Sequence, residues 1–356
     1  MNYNKIVQGI LDIGEAMLQS GAENFRLEDS FYRMCRSYGF KRSDVFVIPS
    51  NIQVTVETPE GEIITQIRHI ESSEPNFDQL DYLNNLCRYV CQHTPDENEM
   101  REKYLEVINR EPQKHITRYA AGIMGGTGFA VFFGCNLRDA LIAFIVSVMI
   151  VAVGDWLAKR ESNLLVYNGI LAFISEVIII GALKMGIAEH PDRIMIGIVM
   201  LLISGLSTTN GIRDLLQRDF ISGFINIMNS FLGAAGIAFG IGLAIILFHE
   251  GYSDHFILNH SVPIQLLSCT VACTGFALWF KIRGKQVWYN SIGAFFTWAI
   301  YVAVYAVKPS NFLATMIAAG FVGFYAFIMS RVNKAPSTIF LTASVFPLIP
   351  GPNLYY

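Results

Sequence analysis

Apolar positions recur every three to four residues from residue 5 to 19 (Ile6, Ile10, Ile13, Met17), and a second such run extends from Ala22 to Tyr38, closed by Gly39. That period is a helix with one buried face, so two helices are predicted. The pattern then shortens. Residues 44 to 48, 52 to 57 and 63 to 70 are rich in Val, Ile and Thr, with Pro59-Glu60-Gly61 between the last two. These segments predict a small antiparallel sheet. Helical spacing returns over 77 to 93 and 96 to 110, with Thr94 or Asp96 as N-cap candidates, before Glu111-Pro112. The expectation is a small α+β domain over residues 1 to 118.

From Tyr119 onward the polar positions nearly vanish, and apolar stretches follow one another with short polar breaks. Crossing the hydrocarbon takes about 20 residues. Eight stretches are predicted to span: roughly 119 to 135, 139 to 156, 164 to 186, 194 to 212, 220 to 248, 262 to 280, 287 to 307 and 312 to 330, with 337 to 356 as an unfinished ninth. Composition agrees, since 53% of the 356 residues are apolar and 15% charged, and the mean hydropathy is +0.40. A soluble chain of this length does not look like this.

Charge divides the chain at the same boundary. Residues 1 to 118 carry 13 Lys and Arg against 19 Asp and Glu, and residues 119 to 356 carry 13 against 10. No basic surface interleaved with aromatics exists, so nucleic acid is not an expected partner. Asp12, Glu15 and Glu23 in the opening segment argue against a secretory leader and for an N-terminal domain in the cytosol. With that start, the predicted inner breaks hold Lys159, Arg160, Arg213, Arg218, Lys281, Arg283, Lys285, Arg331 and Lys334, and the outer breaks hold Arg138, Arg193 and Lys308. The asymmetry follows the positive-inside rule.

The membrane part repeats itself. Thr127-Gly128-Phe129-Ala130-Val131-Phe132-Phe133 returns as Thr274-Gly275-Phe276-Ala277-Leu278-Trp279-Phe280, 147 positions later, and Leu202-Ile203-Ser204-Gly205 returns as Leu348-Ile349-Pro350-Gly351, 146 later. Five spans per copy, an odd number, would insert the copies in opposite senses. The fold class expected is therefore an α-helical polytopic membrane protein of inverted five-span repeats, nine visible and ten expected, behind a small α+β cytosolic domain. Residues 119 to 256 form the first repeat and 257 to 356 the second, incomplete by about 38 residues on the repeat's logic.

Ile13-Gly14-Glu15, Ser20-Gly21-Ala22 and Arg26-Leu27-Glu28-Asp29-Ser30, with Ser204 to Asn210, Gly211-Ile212-Arg213-Asp214, Ser222-Gly223 and Pro347-Leu348-Ile349-Pro350-Gly351, make the chain resemble the threonine/serine exporter family of bacterial inner-membrane proteins. Ser204 stands where that family commonly has a proline. The resemblance implies proton-driven export of threonine and serine from the cytosol, with dicarboxylates such as succinate as the cargo of split relatives.

Candidate residues come from polar groups at membrane depth. Glu176, with Asn168 and Ser175 near the same helix face, is the first candidate for carrying a proton, because a carboxylate there costs roughly 2.5 kcal/mol or more unless it faces a cavity or partner. A structural pairing, for instance with Lys184, is the alternative. Asp155 beside Trp156 is a second, ambiguous proton candidate. Ser204-Gly205 and Pro350-Gly351 interrupt apolar spans at symmetric places, where freed amides and carbonyls can hold a substrate carboxylate or ammonium. Ser207, Thr208 and Asn210 add polar groups to the first break, Asn353 follows the second, and Asn226 lies on the next span; a kink satisfied by neighbouring helices is the alternative for the breaks, and interhelical hydrogen bonding serves at least as well for Asn226. Arg213 and Asp214 read as an inner gate or a solvated loop. The glycines at 122, 125, 126, 128, 233, 236 and 240 read as packing residues. No metal or cofactor is expected, since the loop histidines His249, His255 and His260 fit no ligand spacing and no Gly-x-Ser-x-Gly, His-Glu-x-x-His or Walker A run occurs. The expected partners are a small-molecule substrate, protons and the lipid bilayer, with a homo-oligomer left open. A sensor or enzyme acting through Arg26, Glu28 and Asp29 of the N-terminal domain is the rival class.

Overall fold

The computed structural model describes residues 2–71, 74–203, 205–248 and 261–348. The chain forms two compact units: Met1–Pro112 with Ser207–Ile227, and Gln113–Leu206 with Met228–Tyr356. The first unit thus gathers residues 207 to 227, which the sequence pattern assigns to the first transmembrane repeat.

In the first unit, helices α1 (Tyr3–Gln19), α2 (Asn24–Ser37), α3 (Phe77–His93) and α4 (Glu97–Ile108) accompany strands β1 (Arg42–Ile48), β2 (Asn51–Glu57) and β3 (Ile63–His69). The sheet is antiparallel in the order β1-β2-β3, with Ile48 opposite Asn51 and Glu57 opposite Ile63. Alternation sets which face is buried, so Val47, Ile52, Val54, Val56 and Ile64 enter the core with Ile6, Ile10, Ile13 and Met17 of α1. Asn2 caps α1 by accepting from the Lys5 amide, and the Asp96 carboxylate caps α4 by accepting from the amides of Asn98 and Glu99. Gly14 lets α1 lie directly on the ring of Phe31 in α2, where any side chain would collide.

The second unit contains α5 (His115–Phe132), α6 (Leu137–Leu157), α7 (Leu164–Lys184), α8 (Pro191–Leu202), α11 (Val262–Trp279), α12 (Lys285–Val307), α13 (Asn311–Asn333), α14 (Ser337–Val345) and a 3-10 turn (Phe346–Leu348). Between them in sequence, α9 (Gly205–Leu216) and α10 (Phe220–Phe248) contribute to both units. The helix starts are periodic: His115 and Val262 lie 147 positions apart, Leu137 and Lys285 148, Leu164 and Asn311 147, and Pro191 and Ser337 146.

Among the described residues, six helices are long and apolar enough to cross a membrane: α6, α7, α10, α11, α12 and α13. The count becomes seven if α8 and α9 form one broken span. Among the described residues, each of the nine expected segments contains helix, but not all are full spans. The first, α5, carries His115 and Arg118 in its opening turns and four glycines, which lowers its hydropathy. The fourth stops at Leu202 and resumes at Gly205, with Ile203 extended between them. The ninth is described only to Leu348.

Glycine sets the helix spacing. A side chain on Gly128 would strike the backbone of Ala272, and one on Gly275 would strike the amide nitrogen of Gly125, so α5 and α11 touch backbone to backbone. Phe129 meets Phe276 edge-on, their rings 5.5 Å apart. With the 147-residue offset, Gly125 corresponds to Ala272, Gly128 to Gly275 and Phe129 to Phe276. Each contact is therefore the reciprocal of another, or of itself. Similarly, a side chain on Gly236 would meet the Leu165 carbonyl, and one on Gly240 the Gly169 carbonyl, which seats α10 on α7. Gly242 has open space around it. Gly236→Val and Gly240→Val should each destabilise the detergent-solubilised protein by about 1–3 kcal/mol through overpacking, whereas Gly242→Val should not. Thermal unfolding compares the three; equal melting temperatures would refute this packing.

Candidate functional site

Within the first unit, polar side chains from distant parts of the chain converge where α9 gives way to α10. The Asp214 carboxylate, 4% exposed, accepts from the Asn226 amide at 3.0 Å and from the Asn24 amide of α2 at 3.4 Å. Next to it, Arg213 forms an ion pair with Glu23. One turn further along α2, Glu28 accepts from the Val47 amide at 3.3 Å, and the Ser222 hydroxyl donates to the Val47 carbonyl at 3.4 Å. Asp219 accepts from the Ser222 amide and so helps to start α10.

Burial dominates the electrostatics of this cluster. Asp214 is pushed up to about 6, chiefly by desolvation and further by Asp219 and Glu23, while the bond from Asn226 and the charge of Arg213 pull it down. Glu28 is also raised, by burial first and then by Asp219 and Asp214, against the stabilising Val47 amide. Because burial raises both groups, tightening of the cluster favours uptake of a proton and loosening favours its release. Asp29, by contrast, pairs along its own exposed helix face with Arg33 at 2.9 Å. Glu28 and Asp29 thus face different partners and do not make one site.

In the second unit, Glu176 is fully buried on α7. Its neighbour Ser175 donates to the Leu171 carbonyl at 2.7 Å, and Asn168 donates to the Gly233 carbonyl at 3.2 Å, tying α7 to α10. Lys184 donates to the Phe248 carbonyl at 3.2 Å. Asp155 pairs with Arg118 at 2.7 Å, joining α6 to α5. Gly205 opens α9, its amide bonded to the Ile203 carbonyl. Ser207 and Asn210 on that helix are half-buried and Thr208 is exposed. Ser204, Pro350, Gly351 and Asn353 lie outside the described residues, as do His249, His255 and His260.

Of the sequence candidates, the structure brings Arg213, Asp214 and Asn226 together, and keeps Glu176 with Asn168 and Ser175 on one helix. It also reveals groups the pattern did not single out. Glu23 and Asn24 complete the Asp214 cluster. On α6, the fully buried Asp139 accepts from the amides of Glu189 and His190 at 2.8 and 3.3 Å and contacts the His190 ring at 2.9 Å, fastening the α7–α8 loop. The capping pair Asn136 and Asp139 was the available local signal.

A family model described as "Putative threonine/serine exporter" matches residues 8–248, about two thirds of the chain, and a second, "Threonine/Serine exporter, ThrE", matches 265–356. The chain belongs to the threonine/serine exporter family. Among members of the family, the threonine/serine exporter of Corynebacterium glutamicum is 23% identical over 360 residues, covering 96% of this chain and 73% of the relative. A probable threonine/serine exporter of Mycobacterium tuberculosis is 21% identical over 370 residues, covering 99% and 69%. No solved structure matches the chain at a significant level. Family membership together with six apolar helices makes this a membrane protein.

The raised Asp214 has a stability consequence. Its folded state binds a proton more readily than the unfolded chain, so this group makes the fold more stable as pH falls from about 6 toward 4 and less stable above. Asp214→Asn should flatten that part of the dependence of thermal stability on pH. An unchanged slope would remove Asp214 as its source.

Proposed function

We propose that the protein is a secondary active exporter of small polar metabolites, threonine and serine first, driven by the proton gradient across a bacterial inner membrane, with its N-terminal domain in the cytosol. The observation that carries this reading is Glu176, a carboxylate with no exposed surface in the middle of an apolar helix, in a chain of this family. A carboxylate at that depth is costly unless it faces a partner or a cavity, and groups of this kind commonly mark proton relays and substrate paths. Glu176 is assigned the coupling proton. Asp155, ion-paired with Arg118, is kept as a secondary candidate.

The inverted-repeat reading is supported by the 146 to 148 residue spacing of helix starts and by the reciprocal contacts of α5 with α11. A two-fold relation between copies produces reciprocal contacts of this kind. On this reading, the helix break between Leu202 and Gly205 presents backbone groups to the substrate, with Asn168 of α7 in the same unit as a further polar candidate. Arg213, Asp214 and Asn226, tied to Glu23 and Asn24, act as the inner gate. Protonating Asp214 weakens its attraction for Arg213, so the gate can respond to the same ion that drives transport.

Glu176→Gln should abolish proton-driven efflux of labelled threonine from vesicles while leaving threonine exchange largely intact; full driven efflux in a correctly inserted variant would dismiss Glu176 from the mechanism. For topology, a cysteine placed at Asn136 should react with an impermeant thiol reagent outside intact cells, and one at Gly284 should not. The opposite labelling would overturn the inverted orientation.

A further inference from the structure

A groove of about 310 Å³ lies between α1 and α4 of the N-terminal unit. The two helices run alongside each other in a fixed register. Lys5 reaches Glu97 at 3.9 Å, Gly9 lies against Met100, and Asp12 is close enough to Tyr104 to influence its hydroxyl. Gly9 is what permits this approach, because a side chain there would run into the Met100 sulfur. Met100, 1% exposed, forms an apolar floor.

The charges above that floor are arranged by sign. Lys5 and Glu97 close one end by pairing with each other. At the other end Asp12 is held by Arg68 at 2.9 Å, and Glu15 lies 3.5 Å from the same guanidinium, so two carboxylates share one cation there. Burial pushes the Tyr104 hydroxyl up to about 12, with Asp12 and Glu15 adding to the shift and Arg68 opposing it. Arg101 stands between the ends and holds no ion pair among the described residues. It is three residues before Tyr104, about 4.5 Å along the helix axis. An uncommitted cation is therefore set a short step from an acidic end, over an apolar floor, with the Gln8 amide in the same wall.

We propose that this groove binds a free α-amino acid, its carboxylate on Arg101 and its ammonium at the Asp12 end. Arg101 and Asp12 line the same groove with opposite charges, as the two ends of such a molecule require, and the volume is at the small end of ligand sites. A dicarboxylate would set a second anion against Asp12 and Glu15 and is disfavoured. The assignment stands apart from the transport reading, because every group in it belongs to the N-terminal unit. If the exporter reading holds, the ligand is of the cargo's class and the domain reports its supply.

Hydrogen exchange on the full-length protein in nanodiscs, followed by mass spectrometry, tests this locally. Threonine should slow amide exchange in peptides covering residues 3–19 and 97–108, and succinate at the same concentration should not. Arg101→Gln, at an exposed position that leaves the core intact, should weaken that protection about tenfold or more, the loss expected for a charge-assisted bond. Protection by threonine that survives Arg101→Gln, equal protection by succinate, or no protection in α1 and α4 would each overturn the proposal. Vesicle efflux does not enter this readout, so failure of transport and failure of this site are told apart.

Discussion

Backbone contact between α5 and α11 is the constraint on which the membrane unit depends. Lipid offers apolar helices no hydrophobic reason to associate, so they must gain by packing closely enough for many weak attractions to add. Gly125, Gly128 and Gly275 remove the side chains that would hold these two helices apart, and Phe129 and Phe276 fill the space beside them. The same device recurs between α7 and α10 at Gly236 and Gly240, and between α5 and α8, where a side chain on Gly197 would strike the Ala130 backbone. The three interfaces share one chemistry, and the first joins the two stretches of sequence that resemble each other most.

Rigid packing of this kind leaves room for polar groups only where something answers them. Asn168 is answered by the Gly233 carbonyl, Asp155 by Arg118, and Asp139 by two amides and a histidine. In the N-terminal unit, Asp214 is answered by two neutral amides, which satisfy its hydrogen bonding without supplying a counter-charge. Burial is why Asp214 titrates high, and the bond from Asn226 and the charge of Arg213, itself committed to Glu23, only partly offset it. A carboxylate solvated by amides can lose its charge at modest cost, and this property suits a gate better than a fixed ion pair does.

Local pattern made much of the fold readable. The strands expected at 44 to 48, 52 to 57 and 63 to 70 occur at 42 to 48, 51 to 57 and 63 to 69, and the long apolar helix expected at 220 to 248 has those bounds. Period and capping are local signals, so they survive without tertiary information. The glycine rows were also legible, because spacing alone predicts a smooth helix face. The Asp214 cluster was not, since Asn24 and Asp214 are 190 positions apart and an adjacent Arg-Asp pair is as common in solvated loops as in gates. Nor could hydropathy foresee that residues 207 to 227 fold with the N-terminal domain, because their composition resembles the ends of the spans they adjoin. The α1–α4 groove escaped for a similar reason: charged residues at helical spacing on two helices look like two solvated faces until the helices are brought together.

Coupling between a proton gradient and the movement of small amino acids is the central proposal. Its most direct test uses the unmodified full-length protein, reconstituted into liposomes loaded with labelled threonine or serine and given an imposed pH gradient. Efflux that is accelerated by the gradient, and falls to the rate of empty liposomes' leak when a protonophore collapses it, is the predicted result. Efflux of neither amino acid above that leak, or efflux indifferent to the gradient, would contradict it.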